Sequence, residues 1–342
     1  MTLVSRLLTV LIVFFLVACS QEKVKVIEGS IYGTTYSVQF TKNVDKEKIK
    51  GLIEAELNRI DMIFSTYKEK SLISIINNSN CVQDAVELMT DQIDPWWIKQ
   101  EYSAWSKFCT SDEFDYLFYL SHQIKKNSND AFNPVALSEN VDFYCPQSVC
   151  LDFSAIGKGY AVDKISELLV KLGITDYFVE IGGEISINGT KFGDSWTWAI
   201  NNPFDFNSEA YRAFKAPEGG ISIATSGEYR NPGHIWGYEV TLIHKGNYEK
   251  LDQIQKFMEG AFEGNGGKNV ASVTVIADNT TEADAWATAM YVLGIEQGLE
   301  VANREGLSVF FIREDGKTME SLMWGLKTLS PEQLIEEIKE QI

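Results

Sequence analysis

The stretch "LDFSAIGKGYAVDKI", residues 151–165, opens on a carboxylate among apolar residues and closes as a helix. Between the two, Gly157 and Gly159 flank Lys158. Glycines let backbone approach a ligand closely. Amides at the start of a helix can face an anion, and a lysine adds a point charge. The joint is therefore suited to a phosphate, although Gly-Lys-Gly before a helix is also often a plain turn. The spacing predicts that helix over Ala161–Leu172, with Gly173 as its stop.

Working outward, "DYFVEIGGEISINGT" (176–190) reads as two strands joined by a tight glycine turn. "IEGSIYGTTYSVQF" (27–40) alternates as a strand should, with a glycine turn inside it. Ile49, Ile53, Leu57, Ile60 and Ile63 recur at helical spacing within residues 45–64. The aromatic-rich segment 81–120, with "DPWW" inside it, reads as mostly helical. "TWAINNPF" and "GGISIATSGEYRN" add strands and a loop, "NVASVTVIA" a β-branched buried strand, and "SVFFIRED" another strand. "EADAWATAMYVLG" is a helix with Gly294 as its stop. "SPEQLIEEIKEQI" is a final helix, with Ser330 as cap, Pro331 in its first turn and Gln333 completing a capping box. Strands and helices are interspersed without regular βαβ units. The expected fold is one mixed α/β (α+β) domain with no internal repeat.

Residues 1–18 carry one early charge, Arg6, then the apolar run "LLTVLIVFFLVA", the pattern of a secretory signal. "LVAC" followed by Ser20 resembles a bacterial lipobox. That resemblance implies cleavage before Cys19, lipidation of Cys19 and a short tether over 19–28. The alternative is an uncleaved anchor helix, for which the run is somewhat short. Lipid chains would hold the protein to the extracytoplasmic or periplasmic face of a membrane without embedding it. Ser20 favours the outer membrane in a cell that has one. Residues 29–342 then form the functional domain. The formal charge of −18 argues against a nucleic-acid partner. It also means that any phosphate site needs a local remedy: a metal ion, backbone amides or a lone cation. Cys81, Cys109, Cys145 and Cys150 could form two disulfides in an oxidising compartment, or remain free buried thiols.

Three further clusters could carry chemistry. Asp284 and Thr288 stand four apart on one helical face. A carboxylate and a hydroxyl one turn apart make a partial site for Mg²⁺, which prefers oxygen ligands; a solvated Asp beside a packed Thr would have the same spacing. "IATSGEYRN" (223–231) offers a small-residue turn that could take a flat ring, or an ordinary hairpin loop. In "VEIGGEI", Gly182-Gly183 permits close packing or close ligand approach.

Taken in order, these pieces resemble one family, the ApbE-type flavin transferases. The matching stretches are "YGTTYSV", "STY" at 65–67, "LDFSAIGKGYAVD", "VEIGGEISINGT", "IATSGEYRN" and "VASVTVIADNTTEADAWATAMYVLG", from about Tyr32 to Gly294. The resemblance implies a single domain of the ApbE, T-fold-like type, with mixed sheets and packed helices. It implies FAD as substrate, Mg²⁺ as cofactor, and transfer of FMN to a Ser or Thr hydroxyl of an acceptor protein with release of AMP. The acceptor would be a subunit of a membrane redox complex. By position, Asp284, Thr288 and the Ala155 carbonyl would ligate the metal. Lys158, Asp152, Tyr67, Tyr32, Thr225, Ser226 and Gly227 would fall around the flavin nucleotide, as would Ala131, Phe132 and Asn133.

The chain departs from the family pattern at three places. Tyr32 stands where the family has Met before Gly-Thr. Asn133 stands where it has a carboxylate. The family's His-x-Ile-Asp-Pro-x-Thr-Gly segment is reduced to His234-Ile235, with His244 a weaker candidate. His234 is therefore the candidate catalytic residue. Two alternatives keep FAD but not the transfer: a pyrophosphatase yielding FMN and AMP, and a non-catalytic FAD-binding lipoprotein.

Overall fold

The computed structural model of the protein describes residues 23–79, 81, 82, 85, 111–137, 145, 149–205, 210–227 and 269–328. The expected signal, Cys19, His234, His244 and the final helix lie outside the described residues; of the tether expected over 19–28, residues 25–28 are already part of the first strand of the sheet.

Eight strands form one sheet: β1 (Lys25–Ile31), β2 (Thr34–Phe40), β5 (Tyr177–Ile181), β6 (Glu184–Asn188), β11 (Ile221–Ser226), β12 (Val270–Ala277), β13 (Ser308–Arg313) and β14 (Thr318–Glu320), side by side in that order. Every pairing is antiparallel. Tyr32 and Gly33 form the glycine turn expected inside this stretch, and the strand segments on either side of it pair as the β1–β2 hairpin. Gly182 and Gly183, both at positive φ, turn β5 into β6 as the sequence suggests. Among the described residues three two-stranded sheets complete the β structure: β3 (Val135–Leu137) with β4 (Val149–Leu151), β7 (Thr190–Lys191) with β8 (Asp194–Ser195), and β9 (Thr197–Ile200) with β10 (Arg212–Lys215).

All the described helices but the short last one cover one face of the large sheet. In α1 (Lys46–Phe64), Asp45 caps the first turn by accepting from Glu47 N at 3.0 Å, and Ile49, Ile53, Leu57, Ile60 and Phe64 form the buried stripe. The short α2 (Leu72–Asn77) and α3 (Asp112–Asn127) follow, each capped by a serine, Ser71 and Ser111. The part of 81–120 read as helical that is described from residue 112 onward lies in α3. α4 (Ser154–Lys171) begins seven residues before the predicted Ala161, so Gly-Lys-Gly lies inside the helix. α5 (Thr280–Glu305) runs through Gly294, whose φ of 71° and ψ of −175° break it into two helical segments. Gly294 thus stops one helix, and a second begins at once. The short α6 is Trp324–Thr328.

The helix side carries the larger core, with Phe114, Phe118, Phe132 and Phe153 nearly or fully inaccessible. A second, smaller core on the opposite face gathers Trp196, Trp198, Phe214, Phe310 and Trp324. Trp198 stacks on Phe214 with ring centroids 4.5 Å apart. Cys145 and Cys150 form a disulfide, and Cys81 is also disulfide-bonded.

Candidate functional site

The site forms where α4 crosses α5 at the edge of the β5–β6 turn. Gly159 makes the crossing. A Cβ added there would lie 2.3 Å from the Thr280 carbonyl oxygen and 2.7 Å from Asp284 Cβ. Only glycine lets the two backbones come this close. The Gly159 N–H donates to Asp284 Oδ2 at 2.9 Å. In a regular α-helix that N–H would be directed to the carbonyl four residues back, that of Ala155. The Asp284 carboxylate thus competes with the Ala155 carbonyl for one donor, and the carbonyl keeps acceptor capacity beside the site.

One turn further along α4, Asp163 clamps the start of α5. It accepts from Thr280 N at 2.9 Å, from Thr281 N at 2.8 Å and from the Thr281 hydroxyl. Burial raises the Asp163 carboxyl above its ordinary value, while the Thr281 and Thr280 hydrogen bonds oppose the rise. Asn279 takes the next two amides of α5, Glu282 N through its side chain and Ala283 N through its carbonyl. The Thr280, Thr281 and Glu282 amides, which have no intrahelical acceptor, are thus all satisfied within the protein. The α5 N-terminus therefore offers no anion seat.

The glycine joint differs in the same way from its sequence reading as a phosphate cradle. Gly157 N donates to the Phe153 carbonyl at 2.8 Å, and Gly159 N is committed to Asp284. Asp152 acts as a cap, accepting from Ser154 N at 2.9 Å and from the Ser154 hydroxyl at 3.0 Å. The Ser154, Gly157 and Gly159 amides are spent, and Lys158 is the cation of the joint.

The Lys158 ammonium lies between two carboxylates, 3.4 Å from Asp284 Oδ1 and 3.3 Å from Glu184 Oε1. Burial works against its charge, but Asp284 and then Glu184 outweigh it and hold Lys158 above the ordinary lysine value. Glu184 opens β6 directly after the glycine turn and is 2 % exposed. Its Oε2 has no hydrogen-bond partner among the described residues. Burial pushes its carboxyl up to about 7; Lys158 pulls it down and Asp284 pushes it further up. Gly182 completes the wall. At its φ of +64°, an added Cβ would meet Thr34 Cγ2 at 2.9 Å and Lys158 Cδ at 3.3 Å.

Thr288 lies one turn beyond Asp284, its hydroxyl 3.5 Å from that of Ser226. Thr225 meets Thr274 across the β11–β12 pair at 2.9 Å, and Gly227 leaves the strand just after. The structure thus brings Lys158, Asp284, Thr288 and Ser226 into one neighbourhood. Tyr67 is 71 % exposed just beyond α1. Tyr32 sits at the hairpin tip with φ 52°, and its hydroxyl donates to the Leu57 carbonyl at 2.8 Å, which pins the ring to α1. Ala131 and Phe132 belong to the core, and Asn133 uses its side-chain oxygen on Val135 N at 3.1 Å. All three therefore have structural partners of their own.

Two residues with a part in the site were missed. The signal for Glu184 is an acidic residue directly after two glycines, opening a strand with no other charge. Asp163 was signalled by its spacing of four from Gly159.

Among the described residues, no group of three or more His, Cys, Asp or Glu side chains is arranged to hold a metal ion. The donors here are of another kind: one buried carboxylate, a hydroxyl one turn on, and a backbone carbonyl. Such hard oxygen donors fit Mg²⁺, which keeps waters and substrate phosphates in the rest of its shell. The unpartnered Glu184 oxygen adds negative charge that a cation would offset. An open cavity of about 460 Å³ lies elsewhere, lined in part by Phe178, Phe192 and Trp196, and contains none of these residues.

The model of the ApbE family matches residues 32–311. An Escherichia coli K12 protein named FAD:protein FMN transferase is 26 % identical over 348 residues, covering 90 % of this chain and 92 % of the relative. A Salmonella typhimurium protein of the same name is 36 % identical over 175 residues, covering 51 % of this chain and 45 % of that relative. Among solved structures, the flavin transferase ApbE from Vibrio cholerae aligns with a TM-score of 0.62 at 21 % identity, over 89 % of this chain and 99 % of that one. The apo form of the Pseudomonas stutzeri flavinyl transferase ApbE aligns at 0.64 and 23 %, over 91 % and 99 %. At these identities the structural likeness is one of fold.

Proposed function

The chain belongs to the ApbE family, and from that premise we propose that it moves the FMN half of FAD onto a Ser or Thr hydroxyl of an acceptor protein, releasing AMP. The observation that carries this reading is the buried Asp284, 1 % exposed, held by Gly159 N–H and facing Lys158, with Thr288 one turn on. A phosphoryl transfer of this kind depends on positioning and charge stabilisation more than on covalent help from the protein. Asp284, Thr288 and the Ala155 carbonyl would hold Mg²⁺, which when bound would offset charge on the FAD pyrophosphate. Lys158 supplies a second, fixed cation to the same phosphates. Tyr67, whose ring is exposed just beyond α1, would offer a ring face for a flat base or flavin. His234 remains the candidate for activating the acceptor hydroxyl. The acceptor would be a subunit of a membrane redox complex.

A tether through Cys19 to the extracytoplasmic face of a membrane fits this role. The Cys145–Cys150 disulfide supports an oxidising compartment. Cys19→Ala should move the protein from the membrane to the soluble fraction; a variant that still sediments with membranes would rule the anchor out.

The function is tested by incubating the chain with FAD, Mg²⁺ and a candidate acceptor domain, then running a denaturing gel. Flavin fluorescence that stays with the acceptor and disappears with a chelator supports transfer. AMP release with a dark acceptor would replace transfer by hydrolysis.

A further inference from the structure

We propose that Glu184 is a positioning residue for Lys158, holding the ammonium inside the site when a divalent cation takes the Asp284 carboxylate. The inference rests on the metal reading above. Lys158 divides itself between Asp284 Oδ1 at 3.4 Å and Glu184 Oε1 at 3.3 Å. A dication bound to Asp284 removes one of these partners and repels the ammonium. The lysine side chain is 30 % exposed, so a route to water lies open. Glu184 offers the alternative. Its side chain is 3 % exposed and fixed at the first residue of β6, so it cannot follow the lysine outward. Its Oε2 has no partner among the described residues, so the carboxylate can accept a second N–H from the three that a lysine carries. The lysine stem is guided by the β5–β6 turn, where a Cβ on Gly182 would come within 3.3 Å of Lys158 Cδ. A small pivot from Asp284 toward Glu184 therefore keeps the ammonium beside the phosphate-facing side of the site. Without Glu184, the same cation would expel it.

The test measures where Lys158 is, not how fast the enzyme turns over. The full soluble chain is treated with an amine-acylating ester, with and without saturating Mg²⁺ alone, and modification of Lys158 is followed by peptide mass spectrometry. Lys164 and Lys171 on the same helix serve as internal references. In the parent chain Lys158 should acylate slowly in both conditions. In Glu184→Gln it should acylate slowly without Mg²⁺, because Asp284 still holds it. With Mg²⁺ it should acylate about tenfold faster, the ratio that corresponds to about 1.4 kcal/mol. Asp284→Asn should show no response to Mg²⁺. The proposal is overturned if Mg²⁺ accelerates Lys158 equally in the parent and in Glu184→Gln. It is overturned too if Glu184→Gln binds Mg²⁺ by calorimetry without exposing Lys158, or exposes Lys158 without any Mg²⁺, which would mark a merely structural role. Failure of the parent itself to bind Mg²⁺ by calorimetry is a separate result. It removes the metal reading, and this proposal with it.

Discussion

Gly157 and Gly159 flank the same lysine in the same helix, yet alanine should have opposite effects at the two. At Gly159 the added Cβ would sit 2.3 Å from the Thr280 carbonyl oxygen and 2.8 Å from the Thr280 carbonyl carbon. Both are backbone atoms and cannot rotate away. Relieving the contact to an ordinary 3.4 Å requires about 1 Å of separation between α4 and α5. That movement would stretch the Gly159 N–Asp284 Oδ2 bond from 2.9 Å beyond hydrogen-bond range. Overpacking of this kind costs about 1–3 kcal/mol, and a lost hydrogen bond to a charged group about 1.5–3 kcal/mol. The better helix propensity of alanine returns about 1 kcal/mol. Gly159→Ala should therefore destabilise the protein by about 1.5–5 kcal/mol and weaken Mg²⁺ binding, since Asp284 loses its orienting donor. At Gly157 no described atom lies within 4 Å of the added Cβ. Gly157→Ala should leave stability unchanged or raise it by up to about 1 kcal/mol. Urea unfolding of the two variants beside the parent, followed by Mg²⁺ calorimetry, decides the matter. A Gly159→Ala protein as stable as Gly157→Ala would refute the account of the helix crossing.

Asp284→Ala removes the one charged ligand assigned to the metal, and Mg²⁺-dependent AMP formation from FAD should fall to background; full turnover would sink the assignment. Asn77, 1 % exposed, donates to the Leu151 carbonyl at 2.9 Å and accepts from Leu151 N at 2.8 Å, tying α2 to the strand that leads into α4. Asn77→Ala leaves both buried groups unpaired and should cost about 2–4 kcal/mol by urea unfolding; a loss under about 0.5 kcal/mol, the range of ordinary surface changes, would contradict the clamp. Glu113 is held below the ordinary carboxylate value by hydrogen bonds from Arg59, against the effect of burial and with further help from the Tyr160 hydroxyl. A depressed folded pKa stabilises above the unfolded value, near 4.3, and that contribution is lost as pH falls through the folded one. Arg59 and Glu113 side chains are 44 % and 27 % exposed, so Glu113→Gln should cost only about 1 kcal/mol at pH 7 and nothing well below pH 4. An equal penalty at both pH values would show that the charge is not the cause.

Much of this fold could be read from residue spacing. The α1 stripe, the Gly182–Gly183 hairpin and the β-branched β12 each follow local rules and lie where the rule puts them, except that Phe64 rather than the expected Ile63 is the last fully buried member of the stripe. The start of α4 was not legible, because two glycines within three residues have poor helix propensity. Tertiary contact overrides that preference: the Gly159 approach to Thr280 and Asp284 rewards helix at that point. The same contact explains why the joint is no phosphate cradle. Its amides are consumed by the Phe153 carbonyl and Asp284, partners 125 residues apart in the second case. The pairing of Lys158 with Glu184 was invisible for a similar reason, since it depends on β6 and α4 meeting at a turn. Asp284 and Thr288 share one helix face as their spacing of four requires, and Asp284 is buried rather than solvated. Continuation of α5 past Gly294 was hidden by a glycine that ends one helical segment and is followed at once by another.

The most direct measurement of the central claim is the intact mass of an acceptor domain. The soluble chain, lacking residues 1–19, would be incubated with FAD, Mg²⁺ and a redox-subunit domain that a known transferase of the family modifies. The account predicts an acceptor heavier by one FMN phosphoryl unit, the gain vanishing in Asp284→Ala. An acceptor of unchanged mass, while the known transferase modifies it under the same conditions, would contradict it.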